Sequence, residues 1–105
     1  MKEKLAARLF SLQRKLKGIS IYNHENGSKL FKYSIEFESI LSMLLKFNNH
    51  QFCNIASYYN ASTQQYCELG CAFNEEKNRE KAFSAGMAEM DVFINKSLEI
   101  LAKSR

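Results

Sequence analysis

The segment HQFCNIASYYNASTQQYCELGC, residues 50–71, holds all three cysteines of the chain and one of its two histidines. Thiolates and a neutral imidazole are suitable ligands for tetrahedral zinc. His50 and Cys53 are spaced i, i+3, and Cys67 and Cys71 i, i+4, so each pair could chelate from one side of a helix. If residues 50–71 form one helix, however, His50 and Cys71 stand roughly 30 Å apart at about 1.5 Å per residue. One ion cannot take both pairs, and the short Cys-x₂-Cys knuckle is missing. The simpler reading treats cysteine as a small, frequently buried hydrophobe. Cys53, Ala56, Asn60, Thr63, Cys67 and Cys71 share a helical face of mostly small groups suited to close helix packing. Neither a metal nor a cofactor is expected.

Other chemistry is thinner still. A reactive cysteine needs an electropositive, partly exposed setting and usually a base. His50 is three residues from Cys53, a neighbour relation that helices supply by chance. His24 sits in the polar turn YNHENGS. The carboxylate pairs Glu36/Glu38 and Glu75/Glu76 lack companion ligands and suit a solvated face and a helix start. There is no P-loop, dinucleotide fingerprint or nucleophile elbow. These absences favour a protein that is not an enzyme.

The elements that carry these residues read as helices. The chain has 105 residues, no proline and four glycines. Proline breaks helix interiors and glycine weakens them, so their scarcity leaves long helices possible. A hydrophobic fraction of 46% is ordinary for a globular domain, and the length fits one domain over residues 1–105. Leu5, Leu9, Leu12 and Leu16 lie on one face of a first helix that Gly18 ends as a C′ residue. Residues 19–37 are ambiguous. Phe31, Tyr33, Ile35 and Phe37 alternate with polar residues and Asn26-Gly27 is a hairpin signal, yet Leu30, Phe37, Leu41 and Leu44 fit one helical face. The favoured reading is a loop over about 19–28 and a helix to about 47, with a short β-hairpin or irregular segment as the alternative.

Asn48-Asn49 reads as a break and cap before a third helix. Asn74 can cap a fourth over about 75–103, in which Phe83, Met87, Met90, Ile94, Ser97 and Leu101 step by four and three. The expected fold is all-α, a compact bundle of about four helices.

Two segments carry partial resemblances. YCELGCAFNEEKNREKAF, residues 66–83, resembles half of a tetratricopeptide repeat, with Tyr66, Leu69, Gly70, Ala72, Phe73 and Ala82 at matching intervals. Gly86 replaces the later large residue and no second copy follows at 34 residues. The resemblance implies a helical hairpin of the kind used in peptide-binding arrays. RKLKGIS, residues 14–20, resembles the phosphotransfer-domain motif, with Arg14 standing where that motif has its phosphorylated histidine.

Charge is uneven. Residues 1–17 carry six basic residues against one acidic, and the rest nine against ten. The basic excess on the first helix, Lys2, Lys4, Arg8, Arg14, Lys15 and Lys17, could contact phosphates or an acidic partner. No run reaches the roughly 18 apolar residues of a membrane span. No secretory signal is visible, and an odd cysteine count fits a reducing compartment, so a cytoplasmic location is expected. The expected function is that of a small cytoplasmic adaptor, inhibitor or chaperone-like regulator acting through protein contact, with a homodimer one form of it. Its candidate contact residues are Tyr58, Tyr59 and Tyr66 and the seam of Phe83, Met87, Met90, Ile94 and Leu101, which could equally pack the monomer core. The alternative is a nucleic-acid-binding regulator using the basic first helix.

Overall fold

The computed structural model describes the backbone of residues 2–70 and 76–103 and the side chains of 2–70 and 79–103. It has four helices: α1 (Lys2–Lys17), α2 (His24–Phe47), α3 (Asn49–Gly70) and α4 (Glu76–Lys103). No strand occurs among the described residues. The chain is an all-α four-helix bundle. The expected cap at Asn74, together with Glu75 and Cys71, lies outside the described residues.

The bundle is flattened, with Cα extents of 45 × 25 × 17 Å. α2 and α4 pack against each other through the middle, and α1 and α3 each pack on both. Among the described residues no Cα of α1 comes within 8 Å of one in α3. α1 contributes its four leucines, all nearly inaccessible. Burying a leucine side chain stabilises by about 2 kcal/mol, so this stripe alone holds α1 to the α2–α4 face. Gly18 ends α1 in a tightened turn, donating to Lys15 O at 3.1 Å while Ile19 donates to Leu16 O at 3.1 Å and buries its side chain. Gly18 ends the helix as expected, and it does so without a positive φ.

The hairpin alternative for residues 19–37 is not what forms. α2 starts at His24, four residues before the end of the expected loop, because Asn23 caps it: the Asn23 side chain accepts from Asn26 N at 2.7 Å. Asn26 Nδ2 in turn donates to Ile21 O at 2.8 Å, tying the connecting turn to the new helix. The Phe31–Phe37 alternation resolves into helix faces, with Phe37 buried, Phe31 and Tyr33 half-buried and Ile35 exposed.

α2 and α3 meet at one residue. Asn48 N–H donates to Leu44 O at 2.9 Å as the last bond of α2, and its side-chain oxygen accepts from Gln51 N at 3.2 Å as the first cap of α3. The expected break at Asn48-Asn49 is therefore a joint with no loop in it.

Aromatic rings from three helices fill the middle. Phe37 of α2, Tyr59 and Tyr66 of α3 and Phe93 of α4 form a chain of ring contacts with centroids 5.4 to 6.2 Å apart. Those separations are in the favourable range for aromatic pairs.

Candidate functional site

The helices place the candidate residues differently from the pattern of small groups. α3 buries Phe52, Ile55, Tyr59, Ser62, Tyr66 and Leu69. Cys53, Asn60 and Cys67 are exposed and Ala56 and Thr63 half-buried, so the expectation that the small-residue face packs against a neighbour is corrected. Area decides between the two stripes. The tyrosine rings bury far more apolar surface than cysteine or asparagine can, and their hydroxyls need only one partner each. Both hydroxyls find one: Tyr59 donates to Ser34 O at 2.9 Å and Tyr66 to Gly86 O at 3.2 Å.

The candidate contact surface changes accordingly. Tyr59 and Tyr66, expected at the surface, are 2% and 1% exposed; only Tyr58, at 67%, faces solvent. In the α4 seam Phe83, Met90, Ile94 and Leu101 are buried in the bundle's own core and Met87 is half-buried. Four of these five seam residues are thus part of the monomer's own core. Ser97, also on the seam, is fully buried.

The six basic residues of α1 divide. Arg8 donates to Met43 Sδ at 2.9 Å and Lys15 pairs with Glu36 at 3.0 Å, so both turn toward α2. Lys2 is half-buried. Lys4, Arg14 and Lys17 stay exposed on α1, as does Phe10 at 52%.

One charged residue gave no sign of itself in the sequence. Arg79, near the start of α4, is 2% exposed. Its guanidinium donates to Glu68 O at 3.4 Å, His24 O at 3.5 Å and Ser28 Oγ at 3.3 Å, from the end of α3 and the start of α2. It closes one end of the bundle. Arginine suits this place because its fork of donors reaches several acceptors at once. A residue whose partners are mostly backbone carbonyls from distant helices leaves no spacing pattern to read.

A cavity of about 850 Å³ lies open between α3 and α4. Its apolar surface comes from Ile55 and Tyr58 on α3 and Val92, Phe93 and Ile100 on α4. Ile55 and Phe93 are buried at its floor, whereas Tyr58 and Val92, the latter 48% exposed, stand as its walls. Small residues, Ala61, Ser62 and Ala88, form the end nearest Glu89; Lys96 and Glu99 mark the polar edge further along α4. Glu99 is already paired with Lys103 at 2.9 Å, which holds its carboxyl below the usual carboxylate range. Glu89 has no cation partner among the described residues. Its Oε1 accepts from Gln65 Nε2 at 3.3 Å, and its buried Oε2 has no hydrogen-bond partner.

Apart from Tyr58, already a candidate contact residue, the lining of this groove left no pattern in the sequence. Tyr58, Val92 and Ile100 are scattered singly, and only the antiparallel packing of α3 on α4 brings them together. Among the described residues, no three His, Cys, Asp or Glu side chains gather as metal ligands. His50 and Cys53 are exposed side by side at the start of α3, some 20 Å or more along the helix axis from Cys67 at about 1.5 Å per residue.

Fold and groove together define a small helical bundle with an open interhelical cleft and no assembled set of three metal-ligating side chains among its described residues. No family model matches the chain, and neither the curated proteins nor the solved structures contain a significant match.

Proposed function

We propose that this chain is a non-enzymatic interaction module that binds one amphipathic helix of another protein in the α3–α4 groove, acting as an adaptor, inhibitor or chaperone-like regulator. The observation that carries this reading is the half-open apolar cleft itself. Tyr58 and Val92 stand exposed over the buried Ile55 and Phe93, with a polar rim on both helices. A shallow channel between two antiparallel helices accepts the ridge of a third, and the described residues offer no sheet edge to which an extended peptide could add. The lining of α4 from Glu89 to Ile100 spans about 16 Å, or three turns of a bound helix.

No described helix is long and apolar enough to cross a membrane. The exposed thiols of Cys53 and Cys67 support a reducing, cytoplasmic setting. The test is recovery of partners from native cells by the wild-type chain and by Val92→Glu and Tyr58→Glu. Both positions are exposed, so the variants should fold. A partner that both variants lose while their melting is unchanged supports the reading. Partners retained by both variants would refute it.

A second reading, nucleic-acid binding through α1, rests on the exposed Lys4, Arg14 and Lys17. With three outward cations instead of six, duplex DNA affinity should fall with salt at a log-log slope no steeper than about −3. A steeper slope with submicromolar affinity near physiological salt would favour this reading over the groove.

A further inference from the structure

We infer that the groove selects a helix bringing a lysine or arginine to Glu89, so that its partner is a basic amphipathic helix and not merely an apolar one. This rests on the groove reading above and specifies its occupant. The cleft has a chemical polarity along its length. At one end Glu89 lines the cleft beside Ala61, Ser62 and Ala88; along the rest Tyr58, Val92 and Ile100 give an apolar wall, with Gln51, Asn54, Lys96 and Glu99 on its polar edges. Glu89 holds one neutral hydrogen bond, from Gln65, and no positive charge comes within pairing distance among the described residues. Gln65 Oε1, on the same pair, also lacks a hydrogen-bond donor. Two acceptor oxygens thus lie together without a donor and shielded from solvent, next to the end of the cleft that Glu89 lines, and the carboxylate's charge is unpaired there.

The consequence for an occupant is a discrimination. A helix that covers this end with an alkyl side chain buries the unpaired charge of Glu89 more deeply and gives nothing back, which disfavours binding. A lysine or arginine at that point supplies a charge-assisted hydrogen bond, and its own methylenes can lie along Ala61 and Ala88. Glu89 precedes Val92 by three residues and Ile100 by eleven. The matching helix therefore carries its basic residue about one turn beyond one end of its apolar stripe, whose residues recur at i+3, i+4 and i+7 spacing. A like-charged helix with an acidic residue at that place is repelled.

The test uses the intact chain and a displayed library of helical peptides about four turns long, randomised along one face. Selected binders are measured against wild type, Glu89→Gln and Val92→Glu, with melting curves confirming that each variant folds. Glu89→Gln keeps the shape and the Gln65 contact and removes only the charge. The expected result is that binders carry Lys or Arg at the end of their apolar stripe, lose about tenfold or more on Glu89→Gln, and fail on Val92→Glu. Binders that fail on Val92→Glu yet ignore Glu89→Gln, or that lack a basic residue, overturn this inference and leave the groove reading standing. Binders that tolerate Val92→Glu, a library that yields none, or a homodimer that Val92→Glu dissolves would overturn both.

Discussion

Burying two tyrosine hydroxyls should make this bundle unusually sensitive to alkali. Tyr59 and Tyr66 are almost inaccessible, and each hydroxyl donates to a backbone carbonyl. Burial, with the nearby charge of Glu38 adding to it, pushes Tyr59 from 10.0 up to about 12. Burial, followed by the charge of Glu89, also raises Tyr66 well above its ordinary value. Both shifts favour the neutral form in the folded chain. Their stabilisation is complete below the unfolded value near 10 and is lost as pH rises from there toward the folded values. Each tyrosine then contributes a loss of about 1.4 kcal/mol per pH unit, because the unfolded chain has released a proton that the native chain keeps. Between about pH 9 and pH 11 the pair should cost roughly 3 kcal/mol, a large part of a small domain's stability.

Urea unfolding of wild type and Tyr59→Phe/Tyr66→Phe across this range isolates the effect, since the lysines titrate alike in both chains. At neutral pH the double variant should be less stable, by about 1 kcal/mol for each lost hydrogen bond. Near pH 11 it should equal or exceed wild type. Parallel decline of the two chains with pH would refute the reasoning, and with it the burial of these hydroxyls.

The core makes two further demands. Ile94→Ala should cost about 2 to 5 kcal/mol and Ile94→Asp more, because the charge would lie unpaired in an apolar seam; thermal melting reads both, and an unchanged Ile94→Asp would mean the seam is solvent-exposed. Ser97 is fully buried and its hydroxyl has no hydrogen-bond partner. Ser97→Ala should therefore leave stability unchanged or raise it by up to about 1 kcal/mol, whereas a clear loss in urea unfolding would show that the hydroxyl is satisfied.

How legible the fold was depends on which residues carried it. α1 could be read because its leucines are the only large apolar residues on one face and the opposite face is charged. α4 could be read for the same reason along Phe83, Met90, Ile94 and Leu101. α3 offered two stripes one residue apart, one small and one aromatic, and composition alone did not rank them. The tyrosines look polar until their hydroxyls meet carbonyls on α2 and α4, which is a fact of tertiary packing. In residues 19–37 the favoured helix to about 47 is what forms, and only its start was placed late, because the capping contact of Asn23 with Asn26 competes with the hairpin signal of Asn26-Gly27. The groove and Arg79 were illegible for a common reason: their meaning lies in which helices become neighbours, and no local pattern encodes that.

The shared cap at Asn48 has a consequence for how the chain can change in length. With no loop between α2 and α3, deleting one residue there would rotate α3 by about 100° about its own axis. The core would then receive Cys53, Ala56, Asn60, Thr63 and Cys67 in place of Phe52, Ile55, Tyr59, Ser62 and Tyr66. Adding one residue would turn in Asn54, Tyr58, Ala61 and Gln65 instead. The turn from Gly18 to Asn23 transmits no such rotation, because its irregular backbone can absorb an extra residue before Asn23 caps α2. Descendants of this sequence should therefore vary in length at the first connection and hold it fixed at the second. The joint behaves as a gear in which a single tooth sets the facing of a whole helix.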